Sequence, residues 1–132
     1  MKKNILVIAA VCLLLSVSSC NNPQVIIQSQ VTAINRTCPI EFGNGLTLAS
    51  VENDGRYIVY NFKGPDGMYF NQTNVTDEMK NQIVQTLNMQ AQSDKETDKL
   101  LSALKESGVG IIYHYYGDSE SVMDVIIESS DL

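Results

Sequence analysis

The sequence predicts an α+β domain: an antiparallel sheet of two β-hairpins with helices packed on one face, in the order α-β-β-α-α-β-β. Three observations carry this. Residues 46–63 and 109–128 each hold two strand-like runs rich in β-branched and aromatic residues, with turn residues between them. Between these pairs, apolar residues recur at helical spacing: Met79, Ile83, Leu87 and Ala91, then Leu100, Leu101 and Leu104. A chain of 132 residues also suits a single domain.

Residues 25–36 (VIIQSQVTAINR) set Ile27, Val31 and Ile34 at spacings of four and three, a helical stripe. The β-branched residues lower its helix propensity. Pro39 ends the helix, because a residue before proline avoids helical torsions, so Cys38-Pro39 is a corner. Phe42-Gly43-Asn44-Gly45 is a turn. Residues 46–52 (LTLASVE) alternate, with Leu46, Leu48 and Ser50 on one face and Thr47, Ala49 and Val51 on the other. Asn53-Asp54-Gly55 then leads into residues 56–63 (RYIVYNFK). There Tyr57, Val59 and Asn61 face one way and Ile58, Tyr60 and Phe62 the other. Apolar bulk on both faces predicts a central strand.

Gly64-Pro65-Asp66-Gly67 breaks the sheet. Asn74 or Thr76 caps a helix starting near Asp77-Glu78, whose charges suit its positive end. Ser93-Asp94 separates it from a second helix, and Gly108 stands where a C-cap glycine belongs. Residues 109–116 (VGIIYHYY) make the strongest strand. After the turn at residues 117–120, residues 122–128 (VMDVIIE) pair back as a second hairpin.

The N-terminus follows a different grammar. Lys2 and Lys3 precede an eleven-residue apolar run, Ile5 to Leu15, followed by Ser16, Val17, Ser18, Ser19 and Cys20. The run is too short for a bilayer core about 30 Å thick, which takes about 20 helical residues, and suits a signal peptide. Val17-Ser18-Ser19-Cys20 resembles the lipobox of bacterial lipoproteins. The resemblance implies cleavage before Cys20, a diacylglyceryl thioether on its sulfur and acylation of the new amine. The expected organisation is therefore a lipoprotein signal peptide over residues 1–19, the lipidated Cys20 with a short polar tether over 20–25, and one domain over 26–132. Each buried CH₂ contributes about 0.8 kcal/mol, so two or three chains make the anchor stable.

Without Lys2 and Lys3 the chain carries seven basic and fifteen acidic side chains, a net −8. That balance argues against nucleic acid, which needs clustered Lys and Arg, and against binding of anionic lipid headgroups through the domain itself. Cys12 leaves with the signal and Cys20 takes the lipid. Cys38 is then alone, without an intrachain disulfide partner, and is either buried or reactive.

A second resemblance rests on Asn35 with Cys38-Pro39, residues 46–51, the strand at residues 57–62, and residues 108–117 (GVGIIYHYYG). These are similar to small uncharacterised envelope proteins of Bacteroides-type gut bacteria. The resemblance implies an envelope location and a single small domain, and brings no activity or catalytic residues with it.

No established chemistry matches the remaining residues. His114, the sole histidine, has Cys38 as the one thiol it could meet in a reactive pair; the structural reading is a hydrogen-bonded or solvated strand histidine. Zinc wants several Cys or His ligands, and Asp118, Ser119, Glu120 and Asp124 lack the spacing of a calcium loop, so neither metal nor cofactor is expected. No G-x-S-x-G, P-loop or dinucleotide fingerprint is present. Tyr57, Tyr60, Tyr113, Tyr115 and Tyr116 all fall on predicted strands, where they either pack the sheet or form a binding face. The expected function is a membrane-anchored envelope lipoprotein acting as a non-enzymatic binding or accessory module, with a protein or glycan partner. The alternatives are an immunity- or inhibitor-like lipoprotein that binds a basic protein, and a small thiol-dependent enzyme.

Overall fold

A computed structural model describes residues 22–132. The expected signal segment 1–19, Cys12 and Cys20 lie outside the described residues.

Helix α1 spans Pro23–Thr37. The Asn22 side chain accepts from the backbone N–H of Gln24 at 3.0 Å and Val25 at 3.4 Å. Pro23 occupies the first helical position, where its missing N–H is no loss. Asn-Pro thus acts as a cap and first turn, and this corrects the tether expected over residues 20–25: the chain is helical from Pro23. Ile27, Val31 and Ile34 are buried as their spacing predicts, together with Ile26 and Gln30. The helix stops at Cys38, which is extended (ψ 149°), and the Cys38–Pro39 peptide is cis.

Strand β1 (Ile40–Glu41) turns back through Gly45, at φ +86°, into β2 (Thr47–Asn53). Two residues hold no readable alternation, so β1 was not foreseen in the sequence. In β2 the register shifts between Leu48 and Ser50. This bulge buries both Leu48 and Val51, which strict alternation places on opposite faces. Strand β3 (Tyr57–Lys63) is central and buries Ile58, Tyr60 and Phe62.

The chain then crosses over through α2 (Asp77–Ser93) and α3 (Lys95–Ser107). Thr76 caps α2, accepting from Met79 N at 3.1 Å. Asp94 caps α3 through Glu96 N at 3.1 Å, and Gly108 closes it in the left-handed region at φ +66°. Strand β4 (Gly110–Tyr116) lies parallel to β3, and β5 (Val122–Ile127) is antiparallel to β4. The sheet order is β1-β2-β3-β4-β5. The α+β class and the hairpins are as predicted, but the sheet is mixed rather than wholly antiparallel. The reason is the connection: two helices return the chain to the starting end of β3, and such a crossover is what a parallel neighbour requires.

One sheet face and the buried sides of α1, α2 and α3 form a single core. Phe62 stacks on Tyr115 with centroids 5.0 Å apart and planes at 16°, and Tyr60 lies 5.5 Å from Tyr113. Such pairs contribute about 0.5–1.5 kcal/mol beyond their buried area. The loop before α2 is stitched to the β4–β5 turn: Gly67 N donates to Asp118 Oδ2 at 2.6 Å, and Phe70 N to Ser121 Oγ at 3.0 Å.

Side-chain amides occupy the stretch of β2 that the two-residue β1 leaves uncovered and the edge strand β5. Asn35 of α1 donates to Val51 O at 2.6 Å and accepts from Val51 N at 2.8 Å. Gln72 donates to Asp124 O at 2.9 Å and accepts from Asp124 N at 2.8 Å. Each amide offers one donor and one acceptor, as a neighbouring strand would. Free edges invite pairing with other chains, and these contacts blunt them.

Candidate functional site

The second face of the sheet bears none of the helices. Because side chains alternate along a strand, it displays the residues between the core positions. The register sets them in rows across β2, β3, β4 and β5. Glu52, Val59, Ile112 and Ile126 form one row; Ser50, Asn61, His114 and Asp124 the next; Thr47, Lys63, Tyr116 and Val122 the third. Val122 is 46% exposed and Ile126 37%. The result is a polar row flanked by apolar and aromatic groups, with its exposed apolar side chains on the edge strand β5.

The polar row is internally bonded. His114 Nδ1 lies 2.5 Å from Asp124 Oδ1, and the His114 ring stacks on Tyr116 with centroids 5.9 Å apart. Asn61 donates to Ser50 Oγ at 3.0 Å. Asp124 is held from behind by Gln72 through its own backbone. An imidazole oriented by a carboxylate is half of a nucleophile–base arrangement. The other half is not adjacent. Ser50 stands two strands from His114, about 10 Å at the usual interstrand spacing, with Asn61 between them. Cys38 packs against the helix-covered core, away from the face that carries His114, and the structure does not bring the pair together. Burial pushes the Cys38 thiol up. The row therefore presents fixed hydrogen-bonding groups, with no activated nucleophile among them.

The five tyrosines divide. Tyr60, Tyr113 and Tyr115 are 3%, 1% and 1% exposed, and burial raises all three hydroxyl pKa values. They cannot form a binding face: Tyr113 and Tyr115 share a parity on β4, Tyr60 is the neighbour of Tyr113 across the sheet, and that parity faces the helices. Tyr57 and Tyr116 have the other parity and lie on the open side. The Tyr57 hydroxyl donates to the Glu128 carboxylate, which pushes the Tyr57 pKa up. The Tyr57 ring also lies over Gly110, where a Cβ would come within 2.9 Å of it and 2.5 Å of Ile127 O. Around this corner Arg56, Gly108, Gly110 and Ser129 help line a polar hollow of about 270 Å³.

Sequence reasoning weighed His114 as a partner of Cys38 and Asp124 only as a calcium ligand, did not pair the two, and assigned no role to Asn61 or Gln72. Asp124 was readable in principle as a polar residue inside the apolar run VMDVII. Gln72 carries no such signal, since its contact spans 52 residues of chain. Among the described residues, no group of three or more His, Cys, Asp or Glu is placed to hold a metal ion, and no helix is long and apolar enough to cross a membrane.

No family model matches this chain, and no curated protein matches it. Solved structures do. The chain is similar to the type II secretion system pilotin AspS from Vibrio cholerae, with a TM-score of 0.52 and 13% identity over 84% of this chain and 93% of that one. It is also similar to the pilotin EpsS of the Vibrio vulnificus type 2 secretion system, with a TM-score of 0.48 and 9% identity over 84% and 94% of the two chains. At such identities the first likeness shows a shared fold and nothing further.

Proposed function

We propose that this protein is an envelope lipoprotein, held at a membrane by lipid on Cys20, that serves as a non-enzymatic accessory module and docks another protein on the open face of its sheet. The observation that carries the docking is the face itself. Val59, Ile112, Tyr116, Val122 and Ile126 surround a His114–Asp124 pair already fixed in place. Apolar residues ringing a few oriented polar groups are what protein interfaces present. The lipobox-like run ending in Cys20 supports the anchor. The V. cholerae protein of like fold belongs to a type II secretion system. A part in accompanying or assembling a secretion apparatus is the finer form of this proposal.

A second reading is an inhibitor-like lipoprotein that covers a basic partner. It draws on the same face, where Glu52 and Asp124 outnumber Lys63.

Two measurements test the proposal. Intact mass of the protein from bacterial membranes, beside Cys20→Ala, should show a diacylglyceryl adduct that the variant lacks. Photo-crosslinking in cells from position 126 should give one discrete protein adduct that position 89, on α2, does not. A soluble, unmodified wild-type protein would remove the anchor. Equal adduct patterns from both positions would remove the docking face. Loss of the adduct at raised salt would favour the inhibitor-like reading, because screened charge pairs weaken with ionic strength.

A further inference from the structure

We infer that the outer face of α1 is the surface that lies against the membrane, an inference that rests on lipidation of Cys20. Two observations carry it: the length of chain between lipid and helix, and the distribution of charge.

Cys20 is two residues from Asn22, the cap of α1. Two residues span at most about 7 Å, so the start of α1 cannot leave the headgroup region to which the lipid is fixed. Helix α1 contains no acidic residue, and Arg36 is its one charged side chain. The rest of the domain carries all fifteen acidic side chains against six basic ones. Val25, Gln28, Ser29, Thr32, Ala33 and Arg36 follow the spacing of one helical stripe, opposite the buried stripe of Ile27, Gln30, Val31 and Ile34. The outer stripe runs for about 16 Å, roughly three quarters of the helix, at 1.5 Å per residue. Val25, at its membrane end, is 43% exposed.

A strongly acidic protein tethered to an anionic surface settles with its least negative side toward that surface. The outer stripe of α1 is that side. Its small and amide side chains pack against headgroups without desolvating a charge, Val25 reaches toward the acyl boundary, and Arg36 meets a phosphate. The acyl chains supply the affinity and α1 supplies the orientation. Since α1 belongs to the helix layer, this orientation turns the open sheet face away from the bilayer.

The test uses full-length protein purified with its lipid from bacterial membranes, in a Cys38→Ser background. Single cysteines at positions 29, 32, 89 or 126 carry an environment-sensitive fluorophore. Vesicles are phosphatidylethanolamine with a minority of phosphatidylglycerol and nitroxide-labelled headgroups. Labels at 29 and 32 should shift to the blue and be quenched about twofold or more relative to 89 and 126, as for a helix lying in the headgroup region. Adding Ala33→Glu should reduce the quenching at 29 without releasing the protein. If the protein floats with the vesicles but all four labels behave alike, the orientation is wrong and the anchor stands. If the protein does not float, the anchor fails and the orientation with it.

Discussion

The Asn35 clasp permits a worked prediction. In a mature chain carrying Cys20→Ser, Asn35→Ala removes two hydrogen bonds, of 2.6 and 2.8 Å, from the backbone of Val51. Each contributes about 1 kcal/mol net. Val51 is 2% exposed, so its N–H and C=O regain water incompletely, while Asn35 itself is exposed and lets some water follow. A loss of about 2 kcal/mol follows, the middle of what two neutral bonds supply. With a urea m-value of about 2 kcal/mol/M for a small domain, the midpoint falls by about 1 M. Asn35→Asp keeps the shape and one acceptor but turns a carboxylate oxygen toward Val51 O, so it should lose at least as much. Gln72→Ala is the control: it breaks the same pair of bonds on β5 at an exposed site, and should lose less stability while raising self-association in sedimentation. A midpoint change below about 0.3 M for both Asn35 variants would show that water replaces the amide fully, and the edge-closing role of Asn35 would be refuted.

Other outcomes follow from single contacts. Gly117→Ala places a Cβ 2.3 Å from Met68 O, backbone against backbone, so the loop and the β4–β5 turn must part; a cost of about 1–3 kcal/mol should appear in the same denaturation assay. Phe62→Ala opens a cavity at a fully buried position stacked on Tyr115 and should cost about 3–5 kcal/mol. Burial raises the Cys38 thiol, so alkylation of the folded protein should follow a pH profile displaced upward from that of the urea-unfolded chain. Backbone hydrogen bonds from Arg56 and Tyr57 lower the Asp54 carboxyl. Its folded pKa lies below the unfolded value, so its contribution to the hairpin is present above the unfolded value and is lost as pH falls through the folded one. Amide exchange at Arg56 and Tyr57, corrected for its intrinsic pH dependence, should lose protection on acidification, and Asp54→Ala should lack that change.

Periodicity and turn chemistry were sufficient for the helices and the longer strands, though not for the two-residue β1. The three-four spacing of Ile27, Val31 and Ile34, the cap at Thr76, Gly108 beyond α3, and the parity of Ile58, Tyr60 and Phe62 all depend on neighbours within a turn or a strand, and such signals survive in the linear chain. The same is true of the net charge and of the lipobox-like run that motivates the anchor. What the tertiary structure decided depends on partners remote in sequence. The parallel β3–β4 pair follows from where two helices deliver the chain, and alternation reads alike in parallel and antiparallel strands. The β2 bulge moved Val51 into the core because register is a property of two strands. Tyrosine parity was legible, but which parity faces the helices was not, since both faces of β3 and β4 carry apolar bulk; helix packing alone assigned Tyr113 and Tyr115 to the core and left His114 and Tyr116 outside. The amides of Asn35 and Gln72 reach backbone 16 and 52 residues away, and hydrogen-bonding capacity without periodicity leaves no mark in a sequence until the fold brings its partner near.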